Sequence, residues 1–225
     1  SNNIESLTLS GVEFIESDPA NGSLALAASA VSGQTITFTN FASTVFLGTS
    51  GEDTIDLSDI TGAPTTRISG LGGDDVIIGT DGNDTIIGGG GADNMTGGLG
   101  DNTYVFTTGS VVAGETITFN NAGTETLRVN SSTEFFALNN GARLSAVDAI
   151  TIVEGQTASF LVNQLSGNAA PVVSGNTGGA VETLEIHGTD SADTIDLEAL
   201  QFTISNTAPV MVAVDAGVGA DTVAG

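Results

Sequence analysis

GLGGDDVII (70–78), GTDGNDTII (79–87), GGGGADNMT (88–96) and GGLGDNTYV (97–105) follow one another without a gap. Glycine opens every nonamer (Gly70, Gly79, Gly88, Gly97) and returns at the fourth position (Gly73, Gly82, Gly91, Gly100). The sixth position holds Asp75, Asp84, Asp93 and then Asn102; the eighth holds Ile77, Ile86, Met95 and Tyr104. So regular a period marks a repeat architecture, in which each unit buries its apolar face against its neighbours. Six glycine-rich residues can turn tightly with positive φ and aim their carbonyls at one spot, which residues carrying a Cβ resist. The remaining three form a short strand whose middle side chain faces inward, because side chains alternate along a strand. An apolar or aromatic residue at every eighth position separates the stretch from a disordered linker, which has nothing to bury.

The pattern G-G-x-G-x-D-x-U-x resembles the calcium-binding nonapeptide of the RTX family. That resemblance implies an all-β fold: a right-handed parallel β-roll, or β-solenoid, with calcium-binding turns, here interrupted by irregular β segments. Two nonamers complete one coil in the family, so each turn lies against the next turn but one. The resemblance also implies ligands. Carbonyls at positions 1, 3 and 5 of one turn face carbonyls at positions 2 and 4, and the position-6 aspartate, of the turn stacked on it. On one edge Gly70, Gly72 and Asp74 would face Gly89, Gly91 and Asp93. On the other, Gly79, Asp81 and Asn83 would face Gly98, Gly100 and Asn102, with Asp84 in the first of these turns. Calcium takes six to eight hard oxygens, so the neutral amide of Asn102 is expected to make the weaker site.

GTSGEDTID (48–56) is a further nonamer, with Asp53 at position 6 and Ile55 at position 8. If residues 57–69 make one irregular half-coil, Gly48, Ser50 and Glu52 stack beside the turn that ends in Asp75; Gly62, Ala63 and Pro64 suit a loop there. The arrangement then recurs. GTDSADTIDL (188–197) nearly copies 48–57, AGVGADTVA (216–224) follows it, and IESLTLS (4–10) resembles TETLRVN (124–130). Asp193 and Asp221 therefore mark a second block. Pairing the position-6 residues in this way gives about three to five calcium ions. The expected divisions are a β-solenoid flank (1–47), the main roll (48–105), a β-rich connecting segment (106–187) and a second block (188–225).

Charge points the same way. The 225-residue chain has 27 acidic residues against Arg67, Arg128 and Arg143, no lysine, and a formal charge of −24. Such a chain repels nucleic acid and anionic membrane surfaces, so neither is an expected partner, and divalent cations are its natural counter-ions. Without them the compact state bears its own repulsion and is expected to be partly or wholly unfolded. The absence of cysteine excludes disulfides and thiolate metal sites. No run reaches the roughly 20 apolar residues of a membrane span, and no signal peptide opens the sequence. Gly225 begins another nonamer, which reads as a segment of a longer chain.

Outside the nonamers, valine, threonine, isoleucine and phenylalanine alternate with turn residues, as strands do. Leu24–Val31 (LALAASAV) reads as solenoid wall and Asp18-Pro19 as a turn. A smaller repeat, VSGQTITF (31–38), VAGETITF (112–119) and VEGQTASF (153–160), reads as turn then strand, with Phe38, Phe119 and Phe160 packed inside. Residues 164–180 read as a loop or linker, and LSAVDAI (144–150) as one helical turn.

Catalytic patterns do not occur. The single histidine, His187, precludes H-E-x-x-H and reads as an ordinary edge residue; G-x-S-x-G and the lysine-bearing P-loop are missing too. The chain is therefore expected not to be an enzyme. By resemblance it reads as a calcium-folded structural segment of a large secreted or cell-surface bacterial protein, of surface-layer or adhesin type, exported by type I secretion. Self-association or a cell-surface polysaccharide are the partners this reading implies. The alternatives are an accessory module of a secreted protease, lipase or epimerase, and an ice-binding solenoid.

Overall fold

The computed structural model describes residues 2–4, 14–16, 22–30, 32–33, 36–39, 41–62, 65–119, 122–137, 146–165, 171–175, 180–196, 203–204 and 210–224. These fall into two compact units: residues 1–105 with 115–125, and residues 106–114 with 126–225. Every strand pairing described is parallel, as a chain that coils in one sense requires.

In the first unit one wall runs Asn2–Ile4, Gly22–Ala27, Phe41–Leu47, Thr65–Gly72 and Asn83–Gly90, ending on the strand that starts at Asn102. A second wall stacks Thr54–Asp56, Val76–Ile78, Asn94–Thr96 and Thr116–Thr118, and a third stacks Phe14–Glu16, Ile36–Thr39 and Ile60–Thr61. Position 8 drives the stacking. Ile55 pairs with Ile77, Ile77 with Met95, Met95 with Ile117, and Ile86 with Tyr104, and all of them are buried. The result is a parallel β-roll whose interior is a column of apolar side chains. Tyr104 meets Phe119 edge to face at 5.4 Å, with its hydroxyl donating to the Thr118 carbonyl.

The second unit has a wall of Ala149–Ile152, Val172–Ser174 and Thr203–Ile204, and another of Thr133–Glu134, Thr157–Leu161, Glu182–His187 and Val210–Asp215. Thr194–Asp196 stacks on Thr222–Ala224. Phe135 and Phe160 stack face to face inside it, with centroids 4.5 Å apart, and Phe106 meets Phe135 edge-on at 5.1 Å.

Several sequence expectations need correction. Residues 57–69 do set Asp53 and Asp75 on one edge, as a half-coil would, but their described part is built of regular strands. Ile60–Thr61 adds a rung to the third wall, and Thr65–Gly72 is a strand paired on both sides. The described part of 164–180 includes a strand: Val172–Ser174 lies between two partner strands with Val173 buried, because alternation is enough to place one apolar side chain in the column. The helical turn expected at 144–150 is absent from its described part, where Val147 is buried and a strand begins at Ala149; a turn of helix forms at Val162–Leu165. His187 sits on a strand flanked by two others, so it is no edge residue. Phe160 is buried as expected, but Phe119 is half-buried and Ile117 takes the inner position in its coil. Val223, at position 8 of the last nonamer, is 51 % exposed; among the described residues no strand covers its outer side. Asp18-Pro19, the Phe38 side chain and Ala63-Pro64 lie outside the described residues.

Candidate metal centre

Stacking the turns lines up their sixth residues. On the first edge the Asp53 amide donates to Asp75 Oδ1 at 2.8 Å, and the Asp75 amide donates to Asp93 Oδ1 at 2.9 Å. The Asp93 amide continues the series, donating to Glu115 Oε2 at 3.1 Å. Each buried amide that the tight turn leaves without a backbone partner is thus met by the carboxylate of the following coil. The glycine turns themselves pair, Leu71 with Gly89 and Gly72 with Gly90. A Cβ on Gly70 would collide with Asp75 Oδ2 and lie 2.7 Å from the Gly88 carbonyl oxygen, so only glycine leaves that space open.

One oxygen of each carboxylate takes part in the ladder. The other oxygens, Asp75 Oδ2, Asp93 Oδ2 and Glu115 Oε1, are buried and accept no hydrogen bond. Burying a carboxylate oxygen without a partner costs at least about 1–3 kcal/mol, and more when it is charged. Desolvation accordingly pushes Asp75 up to about 6 and Glu115 to about 8, and raises Asp93 as well. Neighbouring carboxylates add to the rise in each case, and the amide bonds oppose it. Orphaned hard oxygens facing main-chain carbonyls are the donor set of a calcium site, so these residues fit that ion. Asp74 reinforces the edge, its Oδ1 accepting the Ala92 amide at 2.8 Å.

The second edge has the same ladder and a different saturation. The Asp84 amide donates to Asn102 Oδ1 at 3.2 Å, and Asn102 Nδ2 donates to Glu125 Oε1 at 3.4 Å and to the Leu99 carbonyl at 3.3 Å. Here Asp84 is fully partnered: Oδ2 accepts the Thr80 amide at 2.7 Å, and the Thr80 hydroxyl reaches Oδ1 at 3.0 Å. Burial still lifts Asp84 to about 7 against those bonds. Asn83 Oδ1 accepts the Asp101 amide at 2.8 Å, the counterpart of Asp74 on the first edge. Thr49 serves Asp53 as Thr80 serves Asp84, with its amide 2.6 Å from Oδ2. Gly48, Ser50 and Glu52 lie in that outer turn, Ser50 and Glu52 exposed, and Asp81 is exposed as well. Gly91, Gly98 and Gly100 all adopt positive φ.

In the second unit the Asp193 amide donates to Asp221 Oδ1 at 3.0 Å, which brings together the two aspartates of the second block. Thr189 caps Asp193 through its amide and hydroxyl.

Glu115 and Glu125 are the site residues that the nonamer pattern did not reveal. Glu115 stands 22 residues after Asp93, where the nonamer spacing is 18. The legible signal was GETI (114–117), which parallels GEDTI (51–55) with its acid directly before Thr-Ile. VEGQTASF uses the same place for a neutral side chain: Gln156 Oε1 accepts the Ser132 amide at 2.9 Å. In these two copies the smaller repeat is therefore the sixth position of the coil in another guise; Gln34, the counterpart in VSGQTITF, lies outside the described residues.

Among the described residues no three His, Cys, Asp or Glu side chains converge as a metal cluster. A site built from one carboxylate per turn plus main-chain carbonyls does not require one. Residues 69–104 match the family model of the RTX calcium-binding nonapeptide repeat, in four copies. No curated protein and no solved structure matches the chain. The stretch that carries Asp75, Asp84, Asp93 and Asn102 is thus a calcium-binding repeat module of the kind found in secreted proteins.

Proposed function

We propose that this chain is a segment of a large secreted or cell-surface bacterial protein that folds when calcium enters its turns, and that its role is structural and not enzymatic. The observation that carries the reading is the pair of buried, unpartnered oxygens Asp75 Oδ2 and Asp93 Oδ2 inside the calcium-binding repeats. The first edge would hold calcium with the carboxylates of Asp75 and Asp93 and with carbonyls of the turns at 70–74 and 88–92. Asp84 with Asn102, and Asp193 with Asp221, mark weaker further sites, because Thr80 and Thr189 already meet the carboxylates of Asp84 and Asp193. Calcium supplies the positive charge that these carboxylates lack, and its binding free energy then becomes folding free energy.

In a calcium-poor cytosol the acidic chain would stay extended, as passage through a type I export channel requires. Extracellular modules bind at roughly 10⁻⁴–10⁻³ M, close to the calcium level outside cells, so export itself would trigger folding. Order then passes from coil to coil. A surface-layer or adhesin role fits the solenoid walls, which form a spacer without catalytic motifs.

The test is a calcium titration followed by circular dichroism, with magnesium as control. A cooperative gain of β signal in calcium and not in magnesium is expected. A chain fully folded in chelator would overturn the reading.

A further inference from the structure

The second unit carries a cavity of about 480 Å³ that the calcium ladders do not use. It lies on the outer face of the wall formed by Thr133–Glu134, Thr157–Leu161 and Glu182–His187. The residues 108–111 border one side and Phe136 and Ala137 the other. Its volume falls in the range of small-molecule sites. Outward positions of a sheet are normally wet, yet Ser159 is only 4 % exposed.

We propose that this cavity binds a neutral sugar unit of a glycan, with Glu134 and Glu185 as the polar ends of the site and Phe136 as its apolar wall. Strand register sets Glu134 beside Ser159 and Ser159 beside Glu185, so carboxylate, hydroxyl and carboxylate form one row. Two strand spacings separate the backbones of the two acids by about 10 Å. Glu185 Oε2 is met by the Ser159 hydroxyl, which leaves Oε1 and the Glu134 carboxylate to accept from ligand hydroxyls.

The groups are held in place before any ligand arrives. The Ser159 hydroxyl donates to Glu185 Oε2 at 2.8 Å. His187 stands 3.4 Å from the same oxygen on one side and 3.7 Å from Asp215 on the other. The Phe136 ring meets the His187 ring edge-on at 4.9 Å, which fixes the aromatic wall. Across the mouth, the Thr108 amide donates to Ser131 Oγ at 2.7 Å and its hydroxyl to the Ser132 carbonyl at 3.3 Å, anchoring the bordering loop. Carboxylates accept charge-assisted bonds from sugar hydroxyls, and an aromatic ring covers the C–H face that a pyranose presents. Anionic sugars are excluded by the two acids and by a chain charge of −24.

The inference needs the chain folded, and so rests on calcium only to that extent. The 225-residue chain in saturating calcium would be titrated with maltose, cellobiose and lactose and followed by saturation-transfer NMR, with circular dichroism on each sample. At least one disaccharide should bind saturably with Kd of about 1 mM. Glu185→Gln should weaken it by about tenfold and Phe136→Ala should abolish it, with the calcium-induced β signal unchanged. No saturable binding up to about 10 mM by a chain that calcium has folded would overturn the proposal, as would binding that neither variant alters. A lysine-rich peptide that binds in place of the sugars, and loses affinity in Glu185→Gln, would also overturn it. Absence of the calcium-induced signal would count against the calcium reading instead, so the two failures can be told apart.

Discussion

In the turns that end at Asp75 and Asp93 the second residue is Leu71 or Gly89; in the turn that ends at Asp84 it is Thr80. The ladder is otherwise alike, one amide donating to the acid of the following coil on each edge. Thr80 gives each oxygen of Asp84 a donor, whereas Asp75 and Asp93 each keep an oxygen with no partner. The position-6 side chain therefore does two separable jobs. Stitching coils together needs an acceptor, which Asn102 or Gln156 supplies as well as aspartate does. Demanding a cation needs an unpaired carboxylate oxygen, and the second residue of the turn governs whether one is left.

The largest effect should separate these jobs on the first edge. Asp93→Ala removes both the acceptor and the charge. It should cost at least about 1–3 kcal/mol for the stranded Asp75 amide, in addition to the calcium-linked stability. Asp93→Asn keeps the acceptor, so it should lower calcium affinity by at least about tenfold while stabilising the chain in chelator. Asp84→Asn should move the calcium midpoint less. Equal shifts for Asp93→Asn and Asp84→Asn, measured by dichroism titration, would erase the distinction between the edges.

Acidity offers a second handle. Asp75, Asp84 and Glu115 have folded values of about 6, 7 and 8, all above the ordinary carboxylate range. A raised acid binds its proton more tightly in the folded than in the unfolded state. Its favourable contribution is therefore complete below pH about 4 and is lost as pH rises through 6 to 8. In chelator, the residual β signal should rise on acidification across that window. In calcium, which needs the deprotonated forms, acidification should lower it. Parallel trends in the two buffers would break the assignment of the first edge.

A smaller effect is expected from making the second edge resemble the first. Asn102→Asp replaces an amide that donates to Glu125 by a carboxylate that faces it. It should lower the residual β signal in chelator and steepen the calcium response. A residual signal left unchanged by this substitution would show that the ladder tolerates charge without a counter-ion. The smallest change concerns Leu71, which holds φ at 78° and is 52 % exposed. Its stacked partner Gly89 also has positive φ. Leu71→Gly relieves the left-handed backbone without emptying the core and should gain about 1 kcal/mol in chemical denaturation, less the entropy glycine loses on folding.

The roll was legible where spacing is constant. Four nonamers in register fix both the turn and the inward residue, and Ile77, Ile86, Met95 and Tyr104 are all in the core. Legibility failed where coil length changes. Ladder partners are separated by 18 residues between Asp75 and Asp93 but by 22 between Asp93 and Glu115 and by 24 between Ser132 and Gln156. A solenoid needs the same side chain above and below, not the same number of residues between them, so loops of different length conceal the repeat from a fixed-period reading. Residues 164–180 were obscured for a related reason, since one buried Val173 per coil carries little periodic signal. The cavity beside Phe136 was beyond sequence reasoning, because it depends on which strands sit side by side.

The ladder bonds all point one way: Asp53 leans on Asp75, Asp75 on Asp93 and Asp93 on Glu115. The stack has a grammatical direction, in which each coil is a clause completed by a word in the next. The position-5 side chains answer in the other direction, since the Ala92 amide donates to Asp74 and the Asp101 amide to Asn83, so each inner coil is closed by both of its neighbours. A sentence bracketed at both ends is hard to break in the middle, so the stack should come undone from its outermost coils.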